Sequence, residues 1–172
     1  MALKISPEII SKRRSLGASW GPREGGHDRV NVLVKAVDLQ ELSREILIEF
    51  FRARHSMSPH QDIDKALVDI LPDDASLKKS ARLLFLAGLI DLSVRDDLIK
   101  IDKIRDMYAH KKMVGQIDAT PDLQKILADM EMRKQNNADL ASLPTDRHRF
   151  YAIVDTIENH LKQILKAQAG TP

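Results

Sequence analysis

The segment of residues 76–110 constrains the fold of this chain most, because its apolar spacing predicts two helices joined at a turn. The first helix begins at an N-cap, Asp74 or Ser76, and Gly88 ends or bends it. The second begins near Ser93 and ends at His110. Its predicted core positions are Leu98, Ile101, Ile104 and Tyr108. Its predicted outward positions are Asp97, Lys100, Lys103 and Asp106. Two such helices have to bury their apolar faces, so we expect the rest of the chain to pack against those faces.

The remaining apolar periodicity predicts an all-α fold, a single helical bundle of about six helices. Helical spacing covers residues 28–55, 59–71, 120–134 and 145–167, whereas residues 135–144 are polar and small and are predicted to form a loop. Hydrophobic residues make up 43% of the chain and aromatic residues only 4%, which favours helices packed through aliphatic side chains over a β-sandwich. We expect no strand and no internal repeat.

The domain organisation follows from length and from the position of the glycines. A chain of 172 residues fits one domain, which we place at residues 28–168 with a short tail at 169–172. Residues 1–27 are predicted to be a flexible N-terminal arm, because glycines and a proline cluster in residues 17–26. The arm carries Lys12, Arg13, Arg14 and Trp20. It is interpreted either as a basic grip on phosphate or, preferably, as a flexible end whose tryptophan covers part of the domain.

Composition excludes several classes of function. The chain has no cysteine, so disulfides and thiolate metal sites are excluded, and no histidine has a ligand spacing that indicates a metal. We expect no cofactor. No apolar run approaches the roughly 20 residues that span a bilayer, and the N-terminus lacks the apolar core of a signal peptide, so a cytoplasmic protein without a membrane partner is expected. A net charge of +2 means that nucleic-acid binding would need a local basic patch.

The last turn of the second helix carries the candidate catalytic residues Arg105, Asp106 and His110. On an α-helix the arginine and histidine lie about 140° and about 7.5 Å apart, whereas Asp106 and His110 share a face. An arginine, an aspartate and a histidine suit metal-independent cleavage of RNA. In this reaction the histidine moves the proton of a ribose hydroxyl and the arginine binds the phosphate. A homodimer would bring two histidines together as acid and base. The structural alternative pairs Arg105 with Asp102 or Asp97 and places His110 where the helix dipole favours a cation.

Residues 76–110 resemble the centre of the mannitol-repressor family. The resemblance is carried by the Arg-Leu-Leu-Phe block, the Ala-Gly-Leu-Ile turn, the Asp-Leu pair at 97–98 and the run Ile-Asp-Lys-Ile-Arg-Asp-Met-Tyr-Ala-His. The last six residues are also similar to the Arg-x4-His signature of the HEPN superfamily, which contains helical, often dimeric proteins, some of them ribonucleases. Asp106 departs from the asparagine usual in repressor-type members. The resemblance implies a site at Arg105, Asp106 and His110 with Tyr108 packed between them.

The neighbours of this turn extend the site as candidate ligand-binding residues: Lys103, Tyr108, Lys111 and Lys112. A helix-turn-helix around Gly88 is not supported, because Leu84 is too large for the helix crossing and Asp96 and Asp97 at the next helix start would repel phosphate. The resemblance to mannitol repressors thus implies a non-enzymatic transcriptional regulator that acts as a homodimer through a regulatory protein partner, and this is our expectation. The alternatives are a metal-independent endoribonuclease of the toxin or defence type, with RNA as its partner, and an interaction module whose Arg-x4-His is structural.

Overall fold

The computed structural model of the protein describes residues 3–16, 25–54, 65–66, 69–70, 76–110 and 116–169, and within them the all-α prediction is confirmed. Eight α-helices and one short 3-10 helix, Ile117–Ala119, occur there without a strand. The α-helices are α1 Pro7–Leu16, α2 Gly25–Arg54, α3 Leu77–Leu86, α4 Leu92–His110, α5 Pro121–Ala128, α6 Glu131–Gln135, α7 Asn137–Ala141 and α8 Asp146–Ala169. Six of them have seven residues or more. The helix predicted at residues 59–71 lies mostly outside the described residues.

The long helix α2 is the centre of the bundle, and α3, α4 and α8 pack around it. Its buried side chains alternate with exposed ones at helical spacing, and they meet the apolar faces of these three helices in one core. Leu98, Ile101, Ile104 and Tyr108 of α4 are buried in that core, as their spacing predicts. No helix in the described ranges is both long enough and apolar enough to cross a bilayer.

The turn between α3 and α4 is a Schellman motif centred on Gly88. Gly88 has a φ of 72°, a left-handed conformation that favours glycine. The backbone N–H of Leu89 donates to the carbonyl of Leu84 at 3.0 Å, and that of Gly88 donates to Phe85 at 3.0 Å. Gly88 therefore ends α3, as predicted, and fixes the direction in which α4 leaves the turn.

Asp97, predicted to point outward, is instead fully buried under α6. Its two carboxylate oxygens each accept a backbone hydrogen bond, from Glu131 and from Met132, both at 2.8 Å. The first N–H groups of a helix have no partner within the helix, so a carboxylate from elsewhere in the chain can satisfy them. Burial raises the pKa of Asp97, and these two hydrogen bonds and Lys100 oppose that rise.

Two further aspartates satisfy helix starts in the same way. Ser76 occupies the N-cap position of α3 without a side-chain hydrogen bond, and Asp102 of α4 accepts the N–H of Lys78 at 3.2 Å instead. Asp118 of the 3-10 helix accepts the N–H of Arg147 at the start of α8, at 2.9 Å. Asp97, Asp102 and Asp118 therefore satisfy helix starts that are distant from them in sequence, whereas Asp91 caps its own helix α4 through the N–H of Val94.

The N-terminal segment differs from the predicted flexible arm. Residues 7–16 form α1, which packs on α8 through the buried side chains of Ile9 and Arg13. Arg13 forms an ion pair with Asp155 of α8 and lies 5.1 Å from the centre of the Tyr151 ring. The prediction rested on the glycines in residues 17–26, which follow α1 in the chain. They therefore do not predict the conformation of residues 3–16. Trp20 lies outside the described residues.

Residues 121–144 are also more helical than predicted. The helix predicted at 120–134 is interrupted at Asp129 and Met130, and the predicted loop contains α7. Met132 and Leu140 bury their side chains, and the Asn136 side chain accepts the N–H of Ile5 at 3.2 Å. These anchors hold short helices whose own sequence has little helical periodicity.

Candidate functional site

The candidate site lies at the end of α4, where three residues of the predicted site are near the surface. His110 is exposed at the last helical position, and Asp106 and Lys103 are exposed one and two turns before it, respectively. Arg29 of α2 donates to the carbonyl of Ala109 at 3.3 Å, which satisfies one of the free carbonyls at this helix end. The last turn of α4 is therefore held by a side chain from another helix.

Arg105 is occupied by two carboxylates. Its Nη2 lies 3.1 Å from Oδ1 of the buried Asp102 and 2.6 Å from Oδ1 of Asp106. Burial raises the pKa of Asp102, and the guanidinium of Arg105 opposes that rise. Because Asp102 also caps α3, Arg105 balances the charge of a residue that holds two helices together. This is the contact with Asp102 that the structural alternative predicts; Asp97 does not take part.

A cleft of about 640 Å³, here called the α4–α5 cleft, lies beside this turn. Each of the two helices lines it with four residues at positions i, i+3, i+4 and i+7, the spacing of one helical face. The lining residues are Lys103, Asp106, Met107 and His110 of α4, and Asp122, Lys125, Ile126 and Asp129 next to or within α5. The cleft thus brings together Asp106 and His110, as their i, i+4 spacing predicts, and it brings Lys103 with them.

The α4–α5 cleft has an apolar floor and a rim of both charges. Met107 and Ile126 are the apolar lining residues, and they occupy equivalent positions in the two four-residue sets. The rim carries three aspartates, two lysines and the His110 imidazole. Lys100 donates to the backbone carbonyl of Asp129 at 2.5 Å, which ties the two helices together at one end. With three carboxylates against two ammonium groups, such a cleft has no excess of positive charge with which to attract a phosphate chain.

Arg105 does not line the α4–α5 cleft, although His110 does. The two residues project from different faces of α4, as the 140° separation predicts. Within the described part of the chain, Arg105 and His110 therefore do not line the same pocket.

Tyr108 lies in the core and not between Arg105 and His110. Its side chain is fully buried on the face of α4 that meets the bundle, so it is not available to a ligand. Burial raises the pKa of Tyr108, and the nearby carboxylate of Asp28 raises it further. The helical period explains this placement, because Ile101, Ile104 and Tyr108 lie on one face, whereas Lys103, Asp106 and His110 lie on another. Lys111 and Lys112 lie outside the described residues.

The α5 half of the cleft is the part that the sequence analysis missed. Asp122, Lys125, Ile126 and Asp129 have the same i, i+3, i+4, i+7 spacing as the α4 residues. That spacing is visible in the sequence, but only the packing of α5 against α4 makes it a second wall. No group of three or more residues suited to hold a metal ion occurs in the described ranges.

Comparison of the chain with models of known protein families, with curated proteins and with solved structures finds no match. The resemblance to the mannitol-repressor family therefore rests on the residues of segment 76–110.

Because Arg105 is partly exposed, we expect its removal to have a small effect on the free energy of unfolding. We expect Arg105→Gln to lower the free energy of unfolding by about 1 kcal/mol, because a partly exposed ion pair is screened by water. Urea denaturation followed by circular dichroism measures this change. Arg82→Gln, on an exposed position of α3, is the matched control and should leave stability within about 0.5 kcal/mol of the original protein. A loss of more than about 3 kcal/mol would mean that water does not screen the pair of Arg105 with the buried Asp102.

Proposed function

We propose that this protein is a non-enzymatic transcriptional regulator, similar to mannitol repressors, that acts in the cytoplasm by binding a helix of a partner protein in the α4–α5 cleft. The observation that carries the proposal is the make-up of this cleft: two helical faces with the same i, i+3, i+4, i+7 spacing, one apolar residue on each, and side chains of both charges around them. Amphipathic helices are recognised by grooves of this kind, in which apolar anchors enter between two helices.

The floor of the cleft suits an apolar anchor from the partner. Met107 is unbranched and adapts its shape, and Ile126 gives the opposite wall a rigid apolar surface. The rim aspartates and lysines can pair with side chains of either charge, which would fix the orientation of the bound helix more than its affinity. The proposed partner helix therefore has one apolar face flanked by acidic and basic residues.

The homodimer implied by the resemblance is part of this proposal. An exposed apolar stripe on α2 supports it, because Val30, Val34 and Val37 are 59%, 51% and 46% exposed and lie at i, i+4 and i+7 on one face.

One observation favours ribonuclease activity as a second candidate. His110 and Asp106 line the same cleft, so the carboxylate can orient the imidazole for proton transfer. Against it stand the two carboxylates on Arg105, which occupy the group that would bind the phosphate. We expect purified protein to leave single-stranded RNAs of varied sequence intact in EDTA, to the same extent as His110→Ala. Cleavage that His110→Ala abolishes would replace the regulator by the ribonuclease.

Photo-crosslinking tests whether the cleft binds a protein. A benzophenone amino acid is placed at position 107 in the cleft and, as control, at position 135, an exposed site on α6. In host cells we expect position 107 to capture a protein through a helical segment, and position 135 not to capture it. Capture of nucleic acid at position 107 would contradict the proposal.

The captured segment, made as a peptide, then gives the affinity measurement. We expect Met107→Asp to weaken peptide binding by about tenfold or more, because central apolar contacts carry most of the energy of an interface. Lys79→Glu on the exposed face of α3 is the control, and its affinity should not change. Equal affinities of the original protein and Met107→Asp would show that the peptide binds elsewhere.

A further inference from the structure

A second cleft, of about 420 Å³, lies where the N-terminal segment crosses α8, on a different part of the bundle from the α4–α5 cleft. We call it the α1–α8 cleft. Its charged and polar lining residues are Lys4, Ser6, Glu8, Thr156, Asn159, His160, Lys162, Gln163 and Lys166. Three lysines and one glutamate give this cleft an excess of positive charge. Leu3 and Ile9 add an apolar part to the same wall.

Two of the three lysines carry unbalanced charge. Lys4 and Lys166 are exposed and form no ion pair with another residue in the described part of the chain. They belong to different segments, one before α1 and one near the end of α8, so the cleft brings their charges together only in the folded protein. Such a pair attracts a compact anion more strongly than either charge alone.

The third lysine is only partly neutralised. Lys162 lies 2.5 Å from Glu158, but Lys35 lies 2.6 Å from the same carboxylate. One carboxylate thus serves two cations. The side chain of Lys162 is 53% exposed, so its ammonium group remains accessible from the cleft.

Neutral hydrogen-bonding groups complete the wall of the cleft. Asn159 and Gln163 are exposed one turn apart on α8, and each amide offers two donors. Burial lowers the pKa of the half-buried His160, which favours the neutral imidazole. Cationic and neutral donors around a concave surface are the groups that bind a phosphate.

We propose that the α1–α8 cleft binds a small phosphate-bearing anion, a phosphate monoester whose phosphate contacts Lys4, Lys162 and Lys166. The cleft has much more room than a bare phosphate ion needs, and Leu3 and Ile9 offer an apolar surface to the organic part. A concave site with three lysines fits a compact anion better than an extended nucleic-acid backbone, which needs charges along a longer path. Glu8 lies on the same rim and disfavours a ligand with charge along its whole length.

The proposal adds a ligand site to the partner site and does not depend on it. The residues of the two clefts do not overlap, so either can fail alone. A ligand held by Lys4 and Lys166 would connect the segment before α1 to α8. It would bind the folded protein only, and it would therefore stabilise the fold by mass action.

Isothermal titration calorimetry of the full chain at low salt tests the site. The probes are ribose 5-phosphate, inorganic phosphate, ribose and a short single-stranded RNA. The protein variants are the original chain, Lys4→Ala with Lys166→Ala, and a control with Lys78→Ala and Lys79→Ala, which removes the same charge from an exposed part of α3. Circular dichroism establishes that each variant is folded.

We expect ribose 5-phosphate to bind the original chain and the control equally, and ribose not to bind. The Lys4 and Lys166 double variant should lose about tenfold in affinity, equivalent to about 1.4 kcal/mol. Equal binding of inorganic phosphate and ribose 5-phosphate would show that the organic part makes no contact, and it would overturn the assignment to a monoester. No binding of either anion, equal binding by the double variant, or tighter binding of a single-stranded RNA that depends on these two lysines would overturn it.

Discussion

Arg147→Met lowers the free energy of unfolding by about 3–5 kcal/mol, because it leaves the buried carboxylate of Asp28 without its cation. Asp28 at the start of α2 is 0% exposed, and its Oδ1 lies 2.5 Å from Nε of Arg147 at the start of α8. Its Oδ2 accepts the backbone N–H of Ile117 at 3.4 Å. The pair therefore connects α2, α8 and the 3-10 helix at one end of the bundle. Urea denaturation followed by circular dichroism measures the loss.

The pH dependence of this loss has a definite sign. Burial raises the pKa of Asp28 above its ordinary 3.8 even with Arg147 present, and removal of the guanidinium raises it further. A carboxyl group with a raised pKa contributes stability that is complete below its unfolded pKa and is lost as pH rises through its folded pKa. The difference in stability between the original protein and Arg147→Met is therefore largest at pH 7 and smaller near pH 4.

A double-variant cycle separates the ion pair from other contacts of Arg147. In Asp28→Asn with Arg147→Met neither charge is buried, so we expect the double variant to be more stable than the sum of the two single losses predicts, by about 1–3 kcal/mol. Strict additivity, or a loss below about 1 kcal/mol for Arg147→Met alone, would mean that the two charges do not stabilise each other.

Apolar periodicity predicted the helical faces of this bundle well but not the roles of its aspartates. Leu98, Ile101 and Ile104 are buried as predicted, because one face of a helix must enter the core. Asp97 lies next to Leu98 and is buried too, since α6 needs an acceptor at its start. That need arises from a helix more than thirty residues away. Local patterns contain no information on such a contact.

The candidate site shows the same division between local and long-range information. The shared face of Asp106 and His110 follows from their i, i+4 spacing, and both line the α4–α5 cleft. The contact of Arg105 with Asp102 is equally local and was one of the two alternatives left open by the sequence. The second wall at Lys125 and Ile126 depends on how α5 packs, and it could not be predicted.

Asp97→Ala lowers the free energy of unfolding by about 3 kcal/mol. It removes two hydrogen bonds to a charged acceptor, each worth about 1.5–3 kcal/mol. Because the variant no longer has to bury a carboxylate, the net loss is smaller than the sum of the two bonds. Two backbone N–H groups at the start of α6, those of Glu131 and Met132, then have no acceptor. Unpaired N–H groups near a core are costly to keep. The neighbouring Asp96→Ala is the matched control: Asp96 is partly exposed and its ion pair in the described part of the chain is with Arg95, so its loss should stay within about 0.5 kcal/mol.

Hydrogen exchange locates the effect of Asp97→Ala in the structure. We expect the amides of Glu131 and Met132 to lose protection even under conditions in which the rest of the bundle stays folded, because α6 has five residues and depends on this cap. Asp97→Asn keeps one acceptor oxygen but turns an NH₂ group toward the other N–H, so it should lose stability between the two extremes. If Asp97→Ala and Asp96→Ala were equally stable, the carboxylate at 97 would not be the cap of α6. The link between α4 and α6 through Asp97, close to the α4–α5 cleft, would then contribute nothing to stability.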